Sequence, residues 1–314
     1  MLTLADIEAA AARIAGRVRR TPLLDPQPCD ALPPGVRLKL ESLQVTGSFK
    51  ARGALSKLLS LDEASFRRGL VTASGGNHGV AVAYAGRQAG VPATVFVPAN
   101  IAPLKAARIE GLGARLVIEG AVWDVANAAA RRFAEETGAA YLHPFADPLV
   151  AAGQGTLALE ILAEAPDLDT LLVAIGGGGL IAGVAVAAKA LKPGIRVIGV
   201  EPVGCPTLER SLAAGRVVEL ERVETVVPTL AARRTDPFNF EICRRHVERV
   251  VLVSDDAMRE AARTLWRELG LAADMSGAAS VAALMSGAYR PAPGERVCAI
   301  VCGAGTDGIS PAAA

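Results

Sequence analysis

The sequence predicts a two-domain α/β protein in which mostly parallel, twisted sheets are flanked by helices. The chain has 314 residues, of which 51% are hydrophobic and 21% charged, so it can bury a large core. At roughly 150 residues per domain, this length suggests about two domains. Short apolar runs also alternate with longer alanine-rich segments of helical period, which is the pattern of a parallel sheet covered by helices.

The predicted elements follow one another along the chain and are separated by Gly, Pro or Asn. An amphipathic helix is expected within residues 1–20, before the first strand. The predicted strands are residues 37–41, 70–73, 94–97, 115–118, 140–142, 170–175, 196–201, 250–253 and 297–302. The helices predicted between them include residues 79–90, 122–137, 155–164, 180–191 and 255–269. Residues 221–245 follow neither period, and no element is predicted there.

Charge and hydropathy exclude two classes of partner. The 33 basic residues balance 32 acidic ones, for a net charge of +1, so we expect no basic surface that holds nucleic acid. No apolar run reaches the roughly 20 residues of a membrane span. The N-terminal residues do not have the pattern of a signal peptide, which favours a cytoplasmic protein. The five cysteines form no C-x-x-C pair, which predicts reduced thiols and neither disulfides nor structural zinc.

The first segment that could carry chemistry is the lysine loop, residues 41–53 with the sequence E-S-L-Q-V-T-G-S-F-K-A-R-G. It follows a predicted strand and leads into a helix at about Phe49, which places Lys50 in the first helical turn. A cation is unfavourable there because the helix dipole attracts anions. Lys50 is therefore either a solvated surface charge, the commoner situation for a lysine, or a residue with a covalent or charged partner.

The second segment is the SGGNH loop, which joins a predicted strand to a helix and consists of Ser74, Gly75, Gly76, Asn77 and His78. Such residues at a helix N-terminus leave backbone N–H groups free, and these groups could hold a carboxylate. The alternative is an ordinary capped turn with Asn77 or Ser74 as the cap. His78 could act as a base, although a histidine at a helix start is more often a structural hydrogen-bonding group.

The third segment is the glycine loop, whose residues are Gly176, Gly177, Gly178 and Gly179. Its backbone can approach an oxyanion with no Cβ in the way, and the helix that begins at Leu180 adds the attraction of its dipole. A second function fits the same residues. Gly177-x-Gly179-x-x-Ala182 matches a dinucleotide-binding pattern, and Glu201 ends the next strand where a ribose-binding acid is expected. The loop alone leaves an NAD(P)-dependent oxidoreductase open.

Taken together, the three loops resemble those of the threonine and serine dehydratases, relatives of serine racemase among the fold type II pyridoxal-phosphate enzymes. The order and spacing match over nearly the whole chain. Further matching segments are D-I-E-A-A-A-A-R-I-A-G-R-V-R-R-T-P-L near the N-terminus, T-G-S-F-K-A-R-G, H-P-F-A-D-P at residues 143–148 and A-G-Q-G-T at residues 152–156. The resemblance implies a tryptophan synthase β-like fold, and it makes the oxidoreductase a distant alternative.

The resemblance also implies the cofactor, pyridoxal 5'-phosphate, and its contacts. Lys50 would form the Schiff base, Phe49 would pack on the ring, and Asn77 would bind the ring hydroxyl. Cys302, at the end of the last predicted strand, would lie beside the pyridine nitrogen. The cofactor phosphate would bind Gly176, Gly177, Gly178, Gly179 and Leu180.

The implied substrate is a small amino acid. Its carboxylate would dock on the SGGNH loop, with Phe145 also in the substrate site. The implied reaction is β-elimination of a 3-hydroxy-L-amino acid such as serine or threonine to a 2-oxo acid and ammonia. An amino-acid racemase and a β-replacing synthase remain alternatives. Serine racemases read S-S-G-N-H, with the second serine opposite the lysine, whereas this chain has Gly75 there.

The resemblance further implies an arrangement of domains and subunits. A small domain of residues 68–146 would be inserted into a large one formed by residues 1–67 and 147–314, with the cofactor in the cleft. A homodimer is expected.

Family members also place a cation at a motif that here reads Glu201, Cys205 and Thr207, which predicts a monovalent ion. The alternative is that Glu201 is a capping or ion-paired acid with no cation.

Three segments depart from the family pattern. Residues 227–232 read V-P-T-L-A-A where dehydratases usually read A-D-G-x-A-V. Residues 274–279 read D-M-S-G-A-A, beginning with Asp274, Met275 and Ser276, in place of E-P-A-G-A-A. Ala146 replaces a usual Asp. These segments lie near the cofactor or substrate in the family, so the side chain of the substrate is not determined by the sequence.

Overall fold

The structure, a computed structural model, describes residues 1–309. The end of the predicted large domain, residues 310–314, lies outside the described residues. The strands are β1 (Leu23–Leu24), β2 (Val36–Leu40), β3 (Leu70–Ala73), β4 (Ala93–Val97), β5 (Arg115–Ile118), β6 (Ala140–Tyr141), β7 (Thr170–Ala174), β8 (Arg196–Pro202), β9 (Arg249–Val253) and β10 (Val297–Val301).

The helices surround these strands and alternate with them along the chain. They are α1 (Leu4–Ile14), α2 (Lys50–Leu58), α3 (Glu63–Phe66), α4 (Asn77–Ala89), α5 (Pro103–Gly111), α6 (Trp123–Thr137), α7 (Pro148–Glu164), α8 (Gly179–Leu191), α9 (Thr207–Ala214), α10 (Pro237–His246), α11 (Asp255–Leu269) and α12 (Met275–Met285). None of the helices in residues 1–309 is both long enough and apolar enough to cross a membrane.

Two sheets organise the fold. The six-stranded sheet has the order β1-β2-β10-β7-β8-β9, in which only β1 is antiparallel to its neighbour. The four-stranded sheet has the order β5-β4-β3-β6 and is parallel throughout. The predicted fold class is therefore confirmed. The four-stranded sheet lies within the proposed small domain, and the six-stranded sheet lies within the proposed large one; the exact boundaries stay a proposal.

The predicted strands are all present, with ends that differ by at most one residue. Helix α7 is longer than predicted, because it begins at Pro148 and not at residue 155. The Asp147 carboxylate caps it by accepting the amide hydrogens of Leu149 and Val150 at 2.8 and 3.3 Å, and Pro148 suits the first helical position. The unassigned residues 221–245 contain most of α10, which Asp236 caps.

Close packing of α7 on α2 positions the lysine loop. A Cβ atom added at Gly153 of α7 would lie 2.6 Å from the backbone oxygen of Arg52 and 2.7 Å from the Cα atom of Gly53. Only glycine permits so short a separation between these helices. Gly153, which interrupts the helical pattern in the sequence, is thus a packing contact that helps to hold α2 in place.

The carboxyl ends of three strands lead directly into predicted site residues. Strand β3 ends before Ser74, β7 ends just before Gly176, and β10 ends before Cys302. Ligands of open parallel sheets bind outside the carboxyl ends of the strands. Loops from the two sheets also meet, since Asn77 contacts Asp274 and Lys50 contacts Pro144.

Candidate active site

Lys50 is the first residue of α2 and has a specific partner. Its Nζ donates a hydrogen bond to the backbone oxygen of Pro144 at 2.7 Å and lies 5.0 Å from the centre of the Phe49 ring. Burial lowers the pKa of Lys50 to about 8, while Cys302 nearby opposes the shift. The structure therefore contradicts the alternative of an unpartnered surface charge. A lysine with this pKa is partly neutral near pH 8, and so partly nucleophilic.

Cys302 lies behind the lysine loop. The amide of Phe49 donates to the backbone oxygen of Cys302 at 3.2 Å, and the Cys302 thiol lies 3.4 Å from the oxygen of Ser276. Burial, with Asp274 nearby, raises the pKa of the thiol, so it is neutral. Cys302 is buried directly after β10, one residue past the end of the strand in which it was predicted, and it presents no charge to a ligand.

The SGGNH loop has the free amides that an anion site requires. Helix α4 begins after Gly76, and no side chain caps it. The Ser74 hydroxyl accepts from the Gly76 amide at 3.2 Å. Among residues 1–309, the amides of Gly75, Asn77 and His78 donate to no protein group. The alternative in which Asn77 caps its own helix does not occur.

His78 is bound to the backbone of another segment. Its ring is buried, and Nε2 lies 3.1 Å from the backbone oxygen of Leu142. Burial, with Lys50 nearby, lowers the pKa of His78 to about 3, and the imidazole is therefore neutral at physiological pH. The structural interpretation of this histidine fits these contacts.

Asn77 is held from two sides by residues whose roles the sequence did not reveal. Its Nδ2 donates to the Asp274 carboxylate at 2.9 Å, and Lys105 of α5 donates to its Oδ1. The ammonium of Lys105 is also 3.7 Å from Asp274. A Cβ atom at Gly303 would lie 2.9 Å from Asn77 Nδ2, so this group borders Cys302. The amide of Asn77 is thus oriented before any ligand binds.

The glycine loop has free amides for an anion, but it has no room for side chains at Gly176 and Gly177. Gly178 has φ +91°, and an added Cβ at Gly176 would lie 2.6 Å from the backbone oxygen of Thr229. At Gly177 the added Cβ would lie 2.3 Å from the Phe145 ring. Within residues 1–309, the loop amides and that of Leu180 donate to no protein group. These free donors at the start of α8 fit one phosphate group.

Two residues of the unassigned segment fix the glycine loop. Asn239 is fully buried, and its Nδ2 donates to the backbone oxygens of Gly177 and Phe145 at 3.0 and 3.1 Å. Thr235 donates to the Gly177 oxygen at 3.2 Å. The only local signal for these residues is the Asp236-Pro237 helix start between them, which sequence reasoning missed.

The departing segment 227–232 lies between two of the loops. The Thr229 methyl would lie 3.0 Å from a Cβ atom added at Gly76. The backbone oxygen of Thr229 would lie 2.6 Å from a Cβ atom added at Gly176. The other departing residue, Asp274, caps α12 by accepting from Gly277 at 2.6 Å while it also binds Asn77. The segments 227–232 and 274–279 therefore both contact predicted site residues.

The predicted cation ligands are engaged with protein groups. The two oxygens of Glu201 accept the amide hydrogens of Leu208 and Glu209 at 2.8 and 2.9 Å, and burial raises the pKa of this acid to about 8. The hydroxyl of Thr207 lies 3.4 Å from the Cys205 sulfur. Glu201 thus caps α9, which is the alternative interpretation of this residue. Its carboxylate is not free to bind a ribose, which removes the support for a dinucleotide site.

An enzyme that holds an aldehyde cofactor through a lysine needs a partly neutral amine and an anchor for the cofactor phosphate. Lys50 and the glycine loop could supply both, which fits the class of pyridoxal-phosphate enzymes. A family profile described as "Pyridoxal-phosphate dependent enzyme" matches residues 14–303. The chain belongs to this family.

Named relatives agree with this assignment. The chain is 38% identical over 309 residues to the L-threonine ammonia-lyase of Thermotoga maritima, with 98% of this chain and 76% of that protein covered. It is 40% identical over 309 residues to the phenylserine dehydratase of Ralstonia pickettii, with 97% and 94% covered. Its structure is similar to that of maize serine racemase, with a TM-score of 0.91, 34% identity, and 96% and 93% of the two chains covered.

Proposed function

We propose that this protein is a pyridoxal-phosphate-dependent lyase that converts a 3-hydroxy-L-amino acid to a 2-oxo acid and ammonia by β-elimination. The observation that carries the proposal is the Lys50 amine, held 2.7 Å from the Pro144 oxygen, together with two sets of free backbone amides at the starts of α4 and α8. Similarity to a threonine ammonia-lyase and a phenylserine dehydratase supports the same reaction class. Candidate substrates are serine, threonine and related hydroxyamino acids, including 3-phenylserine.

The chain offers groups for each part of the cofactor. The glycine loop and Leu180 would bind the phosphate, Asn77 the ring hydroxyl, and Phe49 one face of the ring. Pyridoxal phosphate, when bound, supplies an electron sink for negative charge at the substrate Cα atom. The neutral thiol of Cys302 would add no negative charge beside the ring nitrogen, which suits elimination better than transamination.

The remaining steps are substrate binding and proton removal, which backbone amides and Lys50 would carry out. The amides of Gly75, Asn77 and His78 would hold the substrate carboxylate. The amine of Lys50 would remove the α-proton as a general base, and its pKa of about 8 suits that role near neutral pH. The Pro144 oxygen would hold the resulting ammonium group. Hydroxide then leaves from the β-carbon, and water hydrolyses the released enamine to the 2-oxo acid and ammonia.

Racemisation is the second candidate, because the fold is similar to that of serine racemase. A racemase must return the proton to the face opposite the lysine, which requires a second acid or base. Gly75 has no side chain that could supply it. We therefore consider elimination a better candidate than racemisation. It is also a better candidate than β-replacement, which no residue described above specifically supports.

We further propose a cytoplasmic homodimer that binds a monovalent cation through Glu201, Cys205 and Thr207. Glu201 caps α9, but each of its oxygens accepts one amide hydrogen and keeps a lone pair for a cation. Cys205 and Thr207 both lie against the Ala232 oxygen, at 3.5 and 2.6 Å, which supports a shared ligand cluster. Magnesium prefers sites with more anionic or water ligands, so potassium should stimulate turnover. Stimulation by magnesium alone would contradict the cation proposal, and light scattering of the purified protein tests the dimer.

Replacement of the lysine tests the proposed function directly. Lys50→Ala should abolish 2-oxo acid formation and the visible absorption band of bound cofactor, with circular dichroism and unfolding unchanged. Lys57→Ala, on the same helix, is the matched control and should remain active. Assays should include serine, threonine, 3-hydroxyaspartate and 3-phenylserine. Turnover of any of these substrates at the wild-type rate by Lys50→Ala would overturn the proposal.

A further inference from the structure

His143 organises a tight turn next to Lys50. Its Nδ1 accepts the amide hydrogens of Ala146 at 2.7 Å and of Phe145 at 3.2 Å. Because both partners are donors, Nδ1 carries no proton and the ring proton is on Nε2. One imidazole nitrogen therefore fixes the backbone of the residues that follow Pro144.

This turn presents its groups to two parts of the candidate active site. The oxygen of Pro144 accepts the hydrogen bond from Lys50 at 2.7 Å. The next residue, Phe145, covers Gly177 with its ring and accepts from Asn239 through its backbone oxygen. A change in the turn would therefore move the acceptor of Lys50.

Packing holds the imidazole in one orientation. Its side chain is buried, and its ring meets the Phe145 ring at 90° with 4.7 Å between centres. Tyr141 and Trp123 approach it edge-on at 6.0 and 6.2 Å. A ring confined in this way can present Nδ1 to the two amides without reorientation.

We propose that His143 is a positioning residue for Lys50: its Nδ1 fixes the turn whose Pro144 oxygen holds the lysine amine. This inference rests on the proposed role of Lys50 as the base. An amine held by one carbonyl has a defined direction for its lone pair, and the ammonium formed after proton transfer keeps the same partner. His143 itself transfers no proton in this arrangement.

The charges and burial around His143 are consistent with an Nδ1 atom that remains a hydrogen-bond acceptor. The charged or titratable groups around the ring are Arg131, Lys50, Asp147, His78 and Tyr141. Burial, Arg131 and Lys50 lower the pKa of His143 to about 4, and Asp147 opposes the shift. Nδ1 therefore stays unprotonated through the neutral pH range.

Two variants of His143 test whether the turn requires the hydrogen-bond acceptor at Nδ1 or the imidazole ring as a whole. His143→Asn keeps an acceptor oxygen on the atom next to Cγ, where Nδ1 lies, and should rescue the turn. His143→Gln is also polar but places its amide one carbon farther out. Competitive acetylation of the cofactor-free protein, read by mass spectrometry, measures the pKa of Lys50 without any turnover. Kinetics with α-deuterated L-serine measure proton removal in the holoenzyme.

For His143→Gln, loss of the carbonyl partner should lower the Lys50 pKa by about one unit, since a charge-assisted hydrogen bond is lost. The kcat should fall by about tenfold or more, with a larger isotope effect and little change in KM. His143→Asn should match the wild type in the Lys50 pKa and in kcat.

Equal behaviour of the two variants, or a wild-type Lys50 pKa in His143→Gln, would overturn the inference. If His143→Gln does not fold, His143→Asn decides alone, because its failure to keep the Lys50 pKa would equally overturn it. Labelling of the cofactor-free protein does not depend on which reaction is catalysed. The inference can thus fail while the proposed function stands. Turnover by Lys50→Ala would instead overturn the proposed function, and the inference with it.

Discussion

At Lys50, burial opposes the positive charge that a lysine carries in water. Its pKa falls to about 8, so the neutral, nucleophilic fraction of the amine grows as the pH rises towards that value. We expect the rate of pyridoxal phosphate uptake by the cofactor-free protein to rise about tenfold per pH unit below that pKa and to level off above it. Stopped-flow absorbance measures this rate.

Pyridoxine phosphate is the control ligand for this prediction, because it carries the phosphate but no aldehyde for the amine of Lys50 to attack. Its binding should lack the same pH dependence. A rate of pyridoxal phosphate uptake that is constant from about pH 6 to about pH 9 would show that the amine is not the titrating group.

Gly75 is the residue at which the choice between elimination and racemisation can be tested. An added Cβ would lie 3.4 Å from Ile101, an ordinary contact, so a serine fits. Gly75→Ser should raise the ratio of D-serine to pyruvate formed from L-serine by about tenfold, below the roughly hundredfold that a well-placed acid or base contributes. Chiral chromatography of the reaction mixture gives the ratio.

Gly75→Ala separates the effect of the hydroxyl from that of bulk at this position. It should leave the product ratio unchanged. If the unmodified enzyme already forms D-serine as fast as pyruvate, the proposed preference for elimination is wrong. The same result would mean that Ser74 or another group donates from the face opposite Lys50.

Helix α10 contributes to the site by holding the glycine loop. Asn239→Leu has similar volume but removes both hydrogen bonds, to Gly177 and Phe145. Two such bonds contribute about 1 kcal/mol each, so cofactor affinity should fall by about tenfold to thirtyfold. Thr235→Val loses one longer bond and should show a smaller effect, measured by fluorescence titration.

Cofactor binding by Asn239→Leu as tight as in the wild type would show that α10 does not position the loop. A charge in the loop itself is a poorer test. Gly177→Asp would place its Cβ on the Phe145 ring, so a loss of cofactor could come from that collision and not from charge repulsion.

The sequence predicted the strands and helices better than it predicted the contacts between them. Strands were located because their apolar runs are short and bounded by turn residues. The start of α7 was missed because Gly153 interrupts its pattern, and only the packed structure shows that this glycine faces α2. Lys105 and Asn239 were missed because their partners are distant in sequence, and no local pattern encodes such contacts.

Across the whole molecule, one buried charge network connects the N-terminal segment to α2 and α7. Arg52 of α2 donates to Glu41 through two bonds of 2.8 Å and to Glu160 of α7 at 2.6 Å. Lys39 of β2 donates to Glu160 and to the backbone oxygen of Thr21, both at 2.7 Å. Two cations balance two carboxylates, so each of the four charges in this network has a partner of opposite sign.

This network predicts how stability depends on pH. Burial opposes ionisation of Glu160, but hydrogen bonds and charge from Arg52 and Lys39 prevail and hold its pKa below the ordinary value of 4.5. A folded-state pKa below the unfolded one contributes stability that is present above 4.5 and lost as the pH falls through the folded value. Glu160→Gln should weaken this acid-side dependence in urea unfolding curves.

Removal of Arg52 should be the more damaging change, because it leaves the fully buried Glu41 without its main partner. We expect Arg52→Met to lower the free energy of unfolding by about 3–5 kcal/mol at neutral pH. Arg37→Met is the matched control, since it breaks a pair with Asp25 in which both side chains are about half exposed, and such pairs contribute less than about 1 kcal/mol. Equal losses in the two variants would mean that the buried network adds no more than a surface pair. In that case the position of Lys50, two residues before Arg52, would depend on the glycine packing of α2 against α7 alone.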